Sequence, residues 1–544
     1  MTKCMYESTS LGEREELRDA VAQGRFYLVG GGIASLAAAA FLIRDGAIDG
    51  HRITILEELD KFGGSLDGAR SPTDGYVIRG GRMLESNYVC TYDLFDAIPT
   101  LDGRSTVTKE IFEWNKALRT ASKARFVVDG RPKESPCYGL KNSHLFALGR
   151  FAIEPEILLD DVRICDRFER DFFETNFWIM WSTTFAFQSW HSAMEFRRYL
   201  LRFAHMTTGF NRLNGIMRTV YNQYDSMVLP VQKWLEERGV DFRRTTRVDD
   251  LYADEDAGKK RVIGLVCESS GRREVFPLTE RDSVFVTLGS MTASSSLGST
   301  NRHAELGIHE RAGAWTLWHK IAAGRPEFGR PSVFSDHLDE SMWLSFTATL
   351  RAPLLFEFIR ALTGNVPGEG GLITFPESNW LMSIVLPHQP HFIGQPDDVQ
   401  VLWGYGLNLE RPGNFVNKPM ALCTGREILT ELVGHLRIGD EARPILGSAQ
   451  CIPCLMPYIT SQFLNRRSGD RPDVIPDAWQ NLAFIGQFCE LKEDAVFTVE
   501  YSIRSAQTAV YRRLGLNRRP PPVYCGGHDP RVIGRSVMSL LGRS

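Results

Sequence analysis

The residues most able to do chemistry are glycines and carboxylates set at fixed intervals. In Leu28-Val29-Gly30-Gly31-Gly32-Ile33-Ala34-Ser35-Leu36, Gly30 permits a tight turn and Gly32 lets backbone N–H groups approach phosphate oxygens. Ser35 stands where a third glycine is usual, and a small hydroxyl residue still lets a helix pack closely on its strand. Glu57 ends the next apolar run about twenty residues further on, where a carboxylate accepts hydrogen bonds from a ribose, with Glu58 as its solvated neighbour. Two more turns follow in order, Gly63-Gly64-Ser65-Leu66-Asp67-Gly68 and Arg79-Gly80-Gly81-Arg82. Backbone without side chains can run close beside an extended cofactor, and Arg79 or Arg82 can meet its negative charge.

These turns need elements to hold them. Arg25 to Val29 and Arg52 to Leu56 read as buried strands, and Ala37 to Leu42 as the helix that presents its positive dipole end to the phosphates. Val240 to Phe242, Val262 to Val266 and Asp282 to Ser290 read as strands, the last returning to the nucleotide sheet. Asn481 to Phe488 is a late buried strand containing Gly486, followed by a helical stretch from Val499 to Leu514. In FAD folds such a late pair brings the chain back to the ribityl phosphate. The expected fold class is therefore α/β: a discontinuous Rossmann-like FAD-binding domain, a substrate-binding α+β domain and a small C-terminal helical segment. Residues 24–98, 216–300 and 471–515 are assigned to the first, 99–215 and 301–470 to the second, and 516–544 to the tail.

At 544 residues the chain is too long for one compact core. A formal charge of -3 gives no reason to expect nucleic acid as a partner. Residues 1–20 carry Glu13, Glu15, Glu16 and Asp19 without an apolar core, so no signal or transit peptide is expected. The longest apolar run, Ile33 to Ile43, is too short to span a bilayer. Ten scattered cysteines point to reduced thiols and a cytoplasmic setting. Cys451-x-x-Cys454 lacks two further ligands at matched spacing, so it reads as two ordinary thiols and no metal is expected.

Two segments read either way. Asp171 to Phe203 is dense in aromatic residues, including Trp181, Phe185, Phe187, Phe196 and Tyr199, which at helical spacing reads as core packing or as an apolar wall. The tail from Arg531 to Arg543 places Ile533, Val537, Leu540 and Leu541 on one helical face among arginines. Such a helix lies on an anionic membrane surface, docks on a partner subunit, or packs on its own domain.

From Phe26 to Leu514 the sequence resembles the FAD-dependent fatty acid hydratases, or oleate hydratases, once called myosin-cross-reactive antigens. The likeness is carried by Phe41-Leu42-Ile43-Arg44-Asp45-Gly46, Ile55-Leu56-Glu57-Glu58-Leu59, the Gly63 to Gly68 turn, Tyr221-Asn222-Gln223-Tyr224-Asp225-Ser226 and Met456-Pro457-Tyr458-Ile459-Thr460-Ser461. The resemblance implies addition of water to the cis-9 double bond of an unsaturated fatty acid such as oleate or linoleate, giving a 10-hydroxy acid. It implies FAD that does no net redox work, and a monomer or homodimer. It also implies an acyl-chain wall in the aromatic block, with Trp181 and Phe187 as substrate contacts. The implied cofactor contacts are Gly30, Gly32, Ala34, Ser35, Glu57, Glu58, Gly64, Ser65, Arg79, Gly80, Gly81, Arg82, Val248, Gly289, Ser290, Gly486, Phe497 and Thr498.

Tyr199, in Phe196-Arg197-Arg198-Tyr199, matches the family's proton donor. The family's water-activating carboxylate follows the Arg-Gly-Gly-Arg turn, yet Met83 stands there, and methionine cannot accept a proton. Glu85, two positions later, is the candidate replacement base. Gln223 and His391 match positions that hold the substrate's acid group, while the family's Thr-x-Asn upstream of that histidine is here Val385 and Pro387, with His388 adjacent. Each lost donor weakens binding by about 1 kcal/mol. The competing readings are a flavin oxidoreductase acting on a lipid and a catalytically weak protein that binds FAD and fatty acid.

Overall fold

Strands buried on both faces read as near-continuous apolar runs, and the first sheet is built from such runs. In the computed structural model of the protein it consists of parallel strands in the spatial order Leu482–Ile485, Ser283–Thr287, Phe26–Val29, Ile53–Leu56 and Asp241–Arg243. Val29 is in register with Val286 on one side and Leu56 on the other. The structure describes residues 23–541 apart from 67, 70–72, 82, 308–312 and 493. Asp67, Arg82, the acidic stretch of residues 1–20, Gly542 and Arg543 lie outside the described residues.

The expected strands and helices of this half are present. Helix Ile33–Arg44 follows the first strand and is buried from Ile33 to Leu42. Helix Val499–Arg513 follows the last strand and packs along it. An antiparallel sheet of Thr246–Asp256, Lys259–Ser269 and Arg272–Pro277 intervenes between Asp241–Arg243 and Ser283–Thr287.

The second half is an eight-stranded sheet. Its central strands Gln450–Met456, Trp343–Leu350 and Gln400–Gly406 pair antiparallel. Ala124–Val128 joins it through a parallel contact between Phe126 and Thr374, so chain from both expected substrate segments shares one sheet. Ser296–Leu297 pairs with Cys454 and Leu455 at its edge, so the chain changes sheets before residue 300 rather than at it. Cys451 and Cys454 are buried on this sheet, three positions apart and hence on opposite faces.

The aromatic block forms helices Asn176–Phe185 and Ala193–Arg202. Glu195 on the second helix is fully buried, and its Oε1 accepts from Arg466 Nε at 2.7 Å and Arg471 Nη1 at 2.9 Å. The tail helix runs over Pro530–Leu540 and docks through Val532, Ser536 and Ser539, with Ser536 Oγ donating to the Ala204 carbonyl at 2.7 Å. Ile533, Val537 and Leu541 of the expected apolar face are exposed, whereas Leu540 is half-buried, so that face is turned away from the domain.

One carboxylate bridges two helices. Helix Val89–Asp96 starts without a side-chain cap of its own. Glu500 supplies one from across the fold, accepting from Cys90 N at 3.0 Å, Thr91 N at 2.8 Å and Thr91 Oγ1 at 2.8 Å while pairing with Arg504. Replacing Glu500 with Ala strips these buried donors, and the expected loss is about 3 kcal/mol of unfolding free energy. Urea denaturation followed by fluorescence measures it; a loss below about 1 kcal/mol would show that the cap is dispensable.

Candidate active site

The first strand ends in the glycine turn as the sequence implies. Gly30 takes φ 92° and donates its N–H to the Leu56 carbonyl at 2.8 Å. Gly63 N donates to the Gly31 carbonyl at 2.9 Å, which crosses the second glycine turn over the first. A Cβ on Gly64 would lie 3.0 Å from the Gly32 Cα, so bare backbone faces bare backbone. The first turn of helix Ile33–Arg44 has no side-chain cap at Gly32, and its N–H groups stay available to an anionic group. Ser35 is fully buried with its hydroxyl 3.4 Å from that of Thr287, a contact between helix and neighbouring strand that a third glycine would lack.

Glu57 lies under this turn. Its carboxylate accepts from Gly31 N at 2.5 Å and Leu59 N at 2.9 Å. Burial pushes its carboxyl above the ordinary range against the lowering effect of those bonds. Glu58 is turned elsewhere: it accepts from Gly313 N at 3.1 Å and is half-buried. Val248 is buried two residues beyond Thr246, whose N–H donates to the Glu57 carbonyl at 2.8 Å. Gly289 and Gly486, with φ 59° and 93°, end the strands on the far side, and Ser290 follows the first of them. These turns converge from separate stretches of chain on one cradle, which fits a dinucleotide.

Beside the cradle lies a cleft whose wall includes Ala186, Ser65, Gly80, Gly81, Met83, Glu85, Tyr199, Phe497 and Thr498. Arg79 borders it through a contact to the Thr292 carbonyl at 3.4 Å. Tyr199 is 1% exposed and donates its phenolic hydrogen to the Val496 carbonyl at 2.5 Å. Phe497 holds φ 69°, a left-handed backbone that is costly for an aromatic residue, and its N–H donates to Gln487 Oε1 at 2.5 Å. Thr498 then caps helix Val499–Arg513.

Met83 is half-buried in the wall, and Glu85 lines the same cleft without being free to act as a base. Glu85 Oε1 accepts from Arg202 at 3.0 Å, while Oε2 accepts from Asn87 N at 2.9 Å and Asn87 Nδ2 at 3.0 Å. Burial favours its neutral form, but His205 and Arg202 hold the carboxyl below the ordinary range. Trp181 and Phe187 do not line the cleft; they sit behind it, Trp181 against Phe177, Phe196 and Phe210, and Phe187 stacked on Phe463 at 4.2 Å. From the aromatic block Phe185, Tyr199 and Phe203 reach the cleft, and Trp403 and Tyr405 reach it from strand Gln400–Gly406.

A small side chamber gathers Gln223, His391, Val385, Pro387 and His388. It also holds Arg218, which the sequence reading missed. Asn222 joins the two loops, its N–H and Nδ2 both donating to the His391 carbonyl at 2.9 and 3.0 Å. Burial, reinforced by Arg218 and His388, pushes the His391 imidazole down to about 3, so it is neutral. Cleft and chamber meet at Gly80, Gly81 and Trp403.

Comparison with known proteins bears on this geometry. The chain is 41% identical over 540 residues to an oleate hydratase of Streptococcus pyogenes serotype M49 (strain NZ131), covering 96% of this chain and 90% of that protein. It is 35% identical over 565 residues to a linoleate hydratase of Lactiplantibacillus plantarum, covering 95% and 99%. In fold it is similar to cyclohexylamine oxidase from Brevibacterium oxydans IH-35A, with a TM-score of 0.52 and 14% identity over 91% of this chain and 100% of the oxidase. Residues 23–511 match the MCRA family, and the chain belongs to that family.

Proposed function

We propose that this protein is an FAD-dependent hydratase that adds water to the cis-9 double bond of long-chain unsaturated fatty acids such as oleate and linoleate. The observation that carries the reading is the buried Tyr199 phenol in an aromatic cleft that opens beside a dinucleotide cradle. The names of both sequence relatives support it, and neither favours redox chemistry.

An isolated alkene has no electron-withdrawing neighbour, so it reacts only when a proton reaches one carbon while water attacks the other. FAD, when bound against the glycine turns, supplies electrostatic organisation and no net electron transfer. Phe185, Phe203 and Trp403 line the acyl path and exclude bulk water, which strengthens every polar contact inside. Tyr199 gives its proton to one alkene carbon; the Val496 carbonyl holds that hydrogen at rest, and the hydroxyl turns away from it to deliver the proton. Water forms the C–O bond at the other carbon, and the proton it sheds balances the one Tyr199 lost. Met83 makes no claim on that proton, and Glu85, tied to Arg202 and Asn87, is a weak acceptor. The chain therefore runs the reaction with a positioned acid and a weakly assisted water.

The tail helix extends the proposal to the substrate's source. Ile533, Val537 and Met538 are 43%, 47% and 46% exposed beside exposed Arg531 and Arg535, a composition suited to an anionic lipid surface. Among the described residues no helix is long and apolar enough to cross a membrane. The protein acts in the cytoplasm with this helix as a peripheral contact.

The decisive assay incubates the reduced, FAD-loaded protein with oleate and linoleate in labelled water and reads products by mass spectrometry. A labelled hydroxy acid is expected, and its absence across several chain lengths would sink the reading. Tyr199→Phe should lower the rate at least about 100-fold while leaving flavin and fatty acid bound. Gly64→Val, which pushes a side chain onto Gly32 at φ 55°, should weaken flavin retention more than about 10-fold in gel filtration with absorbance detection. Truncation after Asp529 should abolish flotation with anionic liposomes; equal flotation of both forms rules out the tail contact.

A further inference from the structure

A side chamber that takes a carboxylate should hold a charge to meet it, and the two positions where the family carries neutral donors are here Val385 and Pro387. The wall of the chamber contains no Asp or Glu among the described residues, but it does contain Arg218. The Arg218 backbone is clamped to Asn115 of helix Val107–Leu118: its N–H donates to Asn115 Oδ1 at 2.9 Å, and Asn115 Nδ2 donates to its carbonyl at 2.7 Å. The preceding residue, Met217, exchanges both backbone hydrogen bonds with Leu84, at 2.9 and 2.8 Å. Arg218 is thus fixed to the same frame as Met83 and the cleft.

Its guanidinium meets no counter-charge among the described residues. Arg218 Nη2 is buried with no hydrogen-bond partner, and no acid acts on this side chain among the described residues. Burial alone, with no opposing acid, pushes the group down to about 10, so it remains a cation at neutral pH. A buried cation with no partner is costly unless an anion completes it. His391 Nδ1 and Trp403 Nε1, on the same wall, are also buried without partners. These donors surround one small space that opens onto the cleft at Gly81, where a Cβ would lie 2.9 Å from the Trp403 ring.

We propose that Arg218 binds the substrate carboxylate directly, with its planar fork replacing the two neutral donors absent at Val385 and Pro387. The inference rests on the fatty acid reading above and adds a charged anchor to it. An arginine fork matches a carboxylate bidentately and is stronger than neutral hydrogen bonds. The neutral His391 imidazole and the Trp403 indole complete the carboxylate's contacts without adding charge.

The test measures displacement of cis-parinaric acid from the FAD-loaded protein by oleate and by oleyl alcohol, which differ only in the head group. The wild-type protein should prefer oleate. Arg218→Gln should weaken oleate about 10- to 100-fold and leave oleyl alcohol nearly unchanged. Flavin absorbance and circular dichroism report whether the variant folds; if it does not, Arg218→Lys, which keeps the charge but loses the fork, should cut the oleate preference several-fold. An unchanged preference in a folded variant overturns the role of Arg218 while hydration by the wild type leaves the function standing. A wild-type protein that neither binds nor hydrates fatty acids overturns both.

Discussion

The four buried strands of the parallel sheet must be covered from both sides, and that constraint organises the molecule. Phe26–Val29 cannot stand at the centre unless Ile53–Leu56 and Ser283–Thr287 flank it, and the latter needs Leu482–Ile485 beyond it. The chain therefore leaves and returns repeatedly, and each return deposits a turn at the same end of the sheet. Gly30, Gly289 and Gly486, distant in sequence, meet there because the ladder brings their strands into register. The excursions between returns build the aromatic helices and the eight-stranded sheet that wall the cleft.

Electrostatics divides the interior by function. Acids inside the fold such as Glu195, Glu490 and Glu500 are matched by Arg466, Arg198 and Arg504, two of these pairs tying helix Ala193–Arg202 to loops and the third lying within helix Val499–Arg513. Glu85 belongs to that structural group through Arg202, although it reaches the cleft. Tyr199 and Met83 by contrast meet an apolar surface. Glu85, neutralised by Arg202, is the one charged side chain on the cleft wall among the described residues, and the polar groups there have more effect for it.

Much of this was legible in the sequence wherever local rules decide it. The strand, glycine turn and helix around Gly30, the late strand with Gly486 and the helix after Thr498 follow from short-range patterns, and all are present. Ser35 was legible as tolerable but not as a contact to Thr287, since that pairing spans the sheet. The aromatic block announced a wall without saying which rings face it. Trp181 and Phe187 pack behind the cleft, against Phe196 and Phe463, while Phe185 and Phe203 stack on each other and line it, a choice set by tertiary packing that local spacing does not carry. Arg218 gave no local signal at all, because an arginine beside a turn is ordinary until its neighbours prove to lack acids.

The paired backbone of Leu84 and Met217 acts as a ruler. It joins the turn that borders Tyr199's cleft to the residue before Arg218 through two hydrogen bonds and no flexible linker. Were Arg218 to hold a fatty acid by its head, as proposed, the acyl chain would present a fixed carbon to the other end of that ruler. Selectivity for double-bond position then becomes a matter of counting methylenes along a rigid scale, and a displaced alkene arrives with a saturated carbon facing the acid.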